Sequence, residues 1–123
     1  MSDCCKRSIS DRLGSTYAEQ NTQLLVFVDK YHFKENQERE MMATAFKEID
    51  NSDFLIAELT HKSIGVGIEI GYAFATKKPI IYVRQKGAEY STTTAGCSVF
   101  VIEYENETDL VEKISQAIKE INL

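Results

Sequence analysis

The sequence predicts an α/β fold built on a parallel sheet with helices packed against it, and three observations lead there. Short, continuously apolar runs rich in valine, isoleucine and phenylalanine recur along the chain. Amphipathic stretches of helical period separate them, and one corner between the two kinds of segment is rich in glycine. Such alternation favours strand–helix–strand units with right-handed crossovers, which bind ligands at the carboxyl ends of the strands.

Residues 1–21 are polar and weakly periodic, Gly14 interrupts any helix, and no β-rich run is present. Leu24-Leu25-Val26-Phe27-Val28 reads as the first strand, an apolar run suited to burial on both faces. From Glu35 to Ile49, the residues Met41, Met42, Ala45, Phe46 and Ile49 recur at helical spacing, with charge on the opposite side and both methionines in the core. Asp50-Asn51-Ser52 supplies a turn before the second strand, Phe54-Leu55-Ile56-Ala57. Beyond a loop holding Gly65 and Gly67, the positions Ile68, Gly71, Tyr72 and Ala75 predict a helix to Thr76 with a small-residue face, ended by Pro79. Ile80-Ile81-Tyr82-Val83 is a third strand, and the segment Ser98 to Tyr104 holds a fourth in Val99-Phe100-Val101-Ile102. The last helix, Asp109 to Ile121, aligns Leu110, Val111, Ile114, Ala117, Ile118 and Ile121 on one side. Together these elements predict a flavodoxin-like or Rossmann-like parallel sheet of four to five strands flanked by helices on both faces. At 123 residues and 43% hydrophobic content, the expectation is one domain over 1–123, with 1–21 its least defined part.

A formal charge of -5 with no Lys/Arg stripe argues against a partner as long as a nucleic-acid polymer, which needs many cationic phosphate contacts, but leaves room for a single nucleotide. Cys4, Cys5 and Cys97 are odd in number and lack metal spacing, so reduced thiols are expected. Without an apolar run of spanning length or a signal peptide, the expectation is a soluble, cytoplasmic protein with no membrane partner.

Chemistry concentrates between Glu58 and Tyr72, where the chain leaves a strand, passes two glycines and enters a helix. Glycines there let backbone N–H groups face a phosphate or sugar, and the helix N-terminus favours anions. Glu69 falls in the first turn of the predicted helix, where a carboxylate also complements the helix dipole for no functional reason. Its neighbours Ile68 and Ile70 predict partial burial at a strand end instead. There a carboxylate can serve as nucleophile or electrostatic partner at a sugar carbon of oxocarbenium character.

The run Ala57-Glu58-Leu59-Thr60-His61-Lys62-Ser63-Ile64-Gly65-Val66-Gly67-Ile68-Glu69-Ile70-Gly71 resembles the nucleoside 2-deoxyribosyltransferase family, most closely its branch that hydrolyses 2′-deoxynucleoside 5′-monophosphates. The resemblance extends from about Ile49 to the C-terminus, about three fifths of the chain. It implies that Glu69 attacks C1′ of the deoxyribose, the base departs, and water hydrolyses the covalent sugar intermediate. It also implies that Ser63, six residues before Glu69, faces the 5′-phosphate where the transferase branch has an acidic residue, with Gly65 and Gly67 in the same substrate site. In Glu89-Tyr90-Ser91-Thr92-Thr93-Thr94-Ala95-Gly96, the resemblance places Ser91 and its neighbour Thr92 on a loop lent to a second subunit's phosphate site, which implies a homodimer. The plain alternative is an ordinary polar loop. No cofactor and no metal are implied.

Two departures stand out. The family begins with a strand ending in a glycine-containing nucleotide loop and an aromatic residue, whereas residues 1–21 contain no such strand; a truncated chain and a misread start are the two readings. The helix position where the hydrolase branch carries an acid toward the base is Ala45, with Glu40, Glu48 and Asp50 the nearby acids. Alternatives to hydrolysis are therefore base exchange between nucleosides, a nucleotide-binding module without turnover, and an interaction domain with no ligand. His32 and His61 lack ligand spacing and read as surface or hydrogen-bonded side chains. Lys77 and Lys78 suit a helix C-terminus, Arg84 either contacts phosphate or is solvated, Asp53 is structural, and Tyr72 packs.

Overall fold

The computed structural model describes residues 24–27 and 36–121. Expectations placed on residues 1–21, on Cys4, Cys5 and His32, and on the start of the first predicted helix at Glu35 lie outside those residues. Among the described residues, four strands, β1 (Leu24–Phe27), β2 (Phe54–Glu58), β3 (Ile80–Gln85) and β4 (Phe100–Tyr104), form one parallel sheet in the order β1-β2-β3-β4. Representative register pairs are Leu25 with Leu55, Ile56 with Ile81, and Val83 with Ile102. Helix α1 (Glu38–Asp50) joins β1 to β2, α2 (Ile64–Ala75) joins β2 to β3, α3 (Thr92–Cys97) joins β3 to β4, and α4 (Glu107–Ile121) follows β4.

Each crossover advances one strand in the same direction, so a constant hand puts the joining helices on one face and leaves the other to α4. The side chains of β2 and β3 divide accordingly. Phe54, Ile56, Ile81 and Val83 pack with Leu110, Ile114 and Ile118 of α4, while Leu55, Ala57 and Ile80 pack with Ile49 of α1 and Ile70 and Ala73 of α2. Both faces being buried explains why these strands read as unbroken apolar runs. In β4 the pattern changes: Ile102 and Tyr104 are buried toward α4, whereas Val101 and Glu103 are exposed, the alternation of an edge strand covered on one side. Val99 precedes β4 and is exposed rather than part of a buried strand.

The largest departures from the sequence expectation concern α2 and the stretch after β3. Helix α2 begins four residues earlier than Ile68, at Ile64, so Gly65 and Gly67 are helical and not in a loop. Ser63 makes the early start possible: its backbone is extended and its hydroxyl accepts from Val66 N–H at 3.4 Å, filling the N-cap role. Pro79 does not end this helix. Its stop is a Schellman turn in which Lys77 adopts φ 63°, with Lys77 N–H donating to the Phe74 carbonyl and Lys78 N–H to that of Ala73. Finally, the polar stretch after Tyr90 is a short helix, α3, capped by Ser91. No described helix is long and apolar enough to cross a membrane.

Candidate active site

The carboxyl ends of β2 and β3 face the start of α2, where Leu59 N–H donates to the Val83 carbonyl and continues the sheet by one bond. From there Thr60-His61-Lys62 turns into the Ser63 cap. The inward stripe of α2 consists of Val66, Glu69, Ile70 and Ala73, at the three- and four-residue spacing of one helix face. Glu69 is 7% exposed, yet Ile64 and Ile68, on the opposite side, are 85% and 51% exposed. A carboxylate turned inward while isoleucines face solvent inverts the ordinary polarity of a helix, which makes Glu69 a candidate functional position. Glu69 thus lies in the second turn of α2, not the first, and helix-dipole complementarity at the terminus no longer accounts for it.

The glycines acquire a different meaning in a helix. Glycine there costs roughly 0.5–1 kcal/mol relative to alanine. A methyl group on Gly67 would meet nothing within 4 Å, and one on Gly65 would meet only the Ser63 hydroxyl at 3.8 Å. Packing among the described residues therefore does not require either glycine, and those residues leave space open beside the helix start.

Ser91 and Thr92 are placed apart from that corner by the third crossover. Ser91 is 8% exposed: its Oγ accepts from Thr94 N–H at 3.2 Å and contacts Thr94 Oγ1 at 2.9 Å, while its own N–H donates to the Tyr82 hydroxyl at 3.0 Å. Thr92 and Thr93 are exposed on the first turn of α3. The hydroxyl of Ser91 is thus employed inside its own chain, and the outward hydroxyls of this segment are those of the threonines.

Arg84 is neither solvated nor held ready for phosphate. Its guanidinium pairs with Glu103 at 2.9 Å, donates to the Ala88 carbonyl at 2.7 Å and lies 5.2 Å from the Tyr90 ring centroid, fixing the turn after β3. Tyr72 stacks on Phe46 with centroids 4.3 Å apart and donates its hydroxyl to Asp50 at 2.7 Å. That hydrogen bond, with burial and the Asp50 charge, holds the phenol above its usual range. Because Asp50 ends α1 beside the amino end of β2, it is on the sheet edge away from Ser63. Ala45 is buried, and Glu40 is exposed and accepts from Gln37. Asp53 is exposed at the entry to β2, and His61 is exposed in the turn after it. Lys78 Nζ donates to the Asp50 carbonyl at 3.2 Å, and Cys97 carries a free thiol against the α1–α2 side of the core.

Glu58 is a buried carboxylate not singled out from the sequence. Its two oxygens accept from Thr60 N–H and the Tyr104 hydroxyl, each at 2.7 Å, tying the end of β2 to β4 on the α4 side. The signal was available in its parity with Phe54 and Ile56, which turns it inward.

The family model for nucleoside 2-deoxyribosyltransferase matches residues 3–118, reaching well ahead of Ile49. Among solved structures, the chain is similar to the Clostridium botulinum CMP N-glycosidase BcmB, with 23% identity, 90% of this chain and 89% of that one covered, and a TM-score of 0.63. It is also similar to a conserved protein of Enterococcus faecalis V583, with 17% identity, coverage of 90% and 87%, and a TM-score of 0.58. Both are likenesses of fold. No curated protein sequence matches it significantly.

Proposed function

This chain belongs to the nucleoside 2-deoxyribosyltransferase family of enzymes, and from that premise we propose that it hydrolyses the N-glycosidic bond of 2′-deoxynucleoside 5′-monophosphates through a Glu69 nucleophile. The products are the free base and deoxyribose 5-phosphate. The observation that carries the reading is the inward carboxylate of Glu69 on a helix whose outward side is apolar. The Glu69 carboxylate attacks C1′ as the C1′–N bond breaks and its electron pair leaves with the base. Water then attacks C1′ of the glycosyl ester, and the carboxylate departs unchanged while the water proton is released.

Ser63 supports a nucleotide substrate over a nucleoside. It stands six residues before Glu69, about 9 Å along the helix axis at 1.5 Å per residue, a span suited to a sugar phosphate laid along the start of α2. The helix N-terminus and the uncluttered backbone at Gly65 and Gly67 suit the phosphate end. In a homodimer the Ser91–Thr92 segment would meet the partner's phosphate, Thr92 through its exposed hydroxyl and Ser91 by holding α3 in shape. Support for a dimer comes from Ile64, Ile68 and Phe74, large apolar side chains exposed along α2. We place the protein in the cytoplasm.

The test is incubation with each deoxynucleoside monophosphate and chromatographic detection of free base. Glu69→Ala should reduce kcat by about four to six orders of magnitude, the range seen when a member of a nucleophilic constellation is removed elsewhere. Full activity in that variant would remove Glu69 from the mechanism, and base exchange without hydrolysis would assign the transferase reaction. Ala45, buried where the resemblance puts an acid, favours a second reading, a nucleotide-binding module. Thermal stabilisation by monophosphates with no base released would favour it over the enzyme.

A further inference from the structure

Strand β2 ends on a buried carboxylate that the proposed reaction does not use. Glu58 has the parity of Phe54 and Ile56, on the α4 side of the sheet, and is 6% exposed. Its partners are two neutral donors, Thr60 N–H on one oxygen and the Tyr104 hydroxyl on the other, each at 2.7 Å. Desolvating a carboxylate for two neutral donors gains the fold little, and an apolar side chain at this position would pack with the cluster around Phe54 and Ile56. What the two bonds supply is geometry.

That geometry converges on the turn from Thr60 to Ser63. Thr60 N–H is held by Glu58, Thr60 Oγ1 accepts from Gln85 N–H at 3.0 Å, and Leu59 N–H donates to the Val83 carbonyl at 2.9 Å. Tyr104, itself 2% exposed, accepts Lys86 N–H on its backbone carbonyl at 2.8 Å. The carboxyl ends of β2, β3 and β4 thus form one hydrogen-bonded frame. The turn that leaves this frame delivers Ser63, the cap of α2, six residues before Glu69. We propose that Glu58 is a positioning residue: without touching substrate, it fixes the turn to the frame so that Ser63 and Glu69 meet one substrate in attack geometry. Misplacement by 1 Å can cost about a hundredfold in rate, so a braced turn matters even where binding survives without it. The need for the frame rests on the hydrolase reading above; the frame itself rests on these bonds.

Two substitutions in the full chain separate the bonds from the volume. Glu58→Leu keeps the volume and removes both acceptors. Glu58→Gln keeps both bonds, its amide oxygen accepting from Thr60 N–H and its amide nitrogen donating to the Tyr104 hydroxyl. In base release from a deoxynucleoside monophosphate, Glu58→Leu should lower kcat by about tenfold or more with KM within about threefold of the parent, since each end of the substrate keeps its contact but loses the common register. Glu58→Gln should restore kcat to within about twofold, and Tyr104→Phe, which removes one bond of the two, should fall between. Ile114→Val, a packing loss in the same core, should leave kcat unchanged at a temperature where all these variants keep the native circular dichroism spectrum. Amide hydrogen exchange read by NMR gives a measure free of turnover. Relative to Ile81 in β3, Thr60 and Gln85 should exchange about tenfold faster in Glu58→Leu than in the parent or in Glu58→Gln. If Glu58→Leu does not fold, Tyr104→Phe decides by the same two measurements. Unchanged exchange at both amides overturns the proposal, as does a loss confined to KM. Faster exchange in Glu58→Leu, with no base released by the parent, supports the frame and overturns the hydrolase reading. Base released equally by the two chains does the reverse.

Discussion

At the scale of single residues, Glu69 separates stability from chemistry. A buried carboxylate gains little for folding from its place in an inward stripe, because desolvation opposes it. Glu69→Gln, close in size, should keep the native circular dichroism spectrum while losing turnover; a variant that loses both would make the residue a structural one. Tyr72 supplies a pH signature of a different kind. Its phenol is held above its ordinary value of 10.0, first by the hydrogen bond to Asp50 and then by burial and the Asp50 charge. The folded state therefore binds this proton more tightly than the unfolded state does. The stabilisation is present in full below pH 10.0 and is lost as pH rises through the folded value. Urea titrations on either side of that pH should show a smaller alkaline loss of stability in Tyr72→Phe than in the parent protein.

At the scale of elements, the start of α2 holds two glycines that its own packing does not require. Gly67→Ala should stabilise the protein by roughly 0.5–1 kcal/mol in chemical denaturation, since its helical backbone accepts alanine and the space is open. It should also raise KM severalfold if the backbone there approaches substrate. Greater stability with KM unchanged would leave Gly67 with no part in binding. Helix α4 is fastened at its start by reciprocal bonds: Asp109 N–H donates to Asn106 Oδ1 at 2.9 Å, and the Asp109 carboxylate accepts from Glu105 N–H at 3.0 Å. That backbone hydrogen bond, followed by the contact with Lys113, holds the carboxyl below its usual value of 3.8. The stabilisation is therefore complete above pH 3.8 and is lost as pH falls through the folded value. Acid titration of Asp109→Asn followed by circular dichroism should reveal a smaller loss on acidification; identical acid profiles would deny the cap this role.

At the scale of the whole molecule, the exposed side of α2 is where the proposed dimer is tested. Ile64, Ile68 and Phe74 lie on it, and Phe74 is 56% exposed. If this face joins two copies, Phe74→Lys should shift the mass seen by light scattering from dimer toward monomer. It should also raise KM for the monophosphate, because the partner's Ser91–Thr92 segment would be lost. A parent chain that is monomeric at every concentration would remove the segment's role across an interface.

Apolar runs and helical periods in the sequence determined the strands of the sheet and their alternation with helices, because these depend on local spacing and on which side chains avoid water. The motif from Ser63 to Gly71 carries the family resemblance that points to Glu69 and Ser63 as candidate site residues. The true start of α2 was hidden because glycine disfavours helices locally, whereas the Ser63 cap and the burial of Val66, Ile70 and Ala73 override that preference. Only tertiary structure decided that Glu69 turns inward while Ile64 and Ile68 turn out, that Ser91 caps its own helix, and that Arg84 is bound by Glu103 and Ala88. The same holds for the bond from Tyr104 to Glu58, whose two ends come from different strands. Spacing along the chain reports which face of an element a residue occupies; which partner that face meets is set by the way the crossovers stack helices on the sheet.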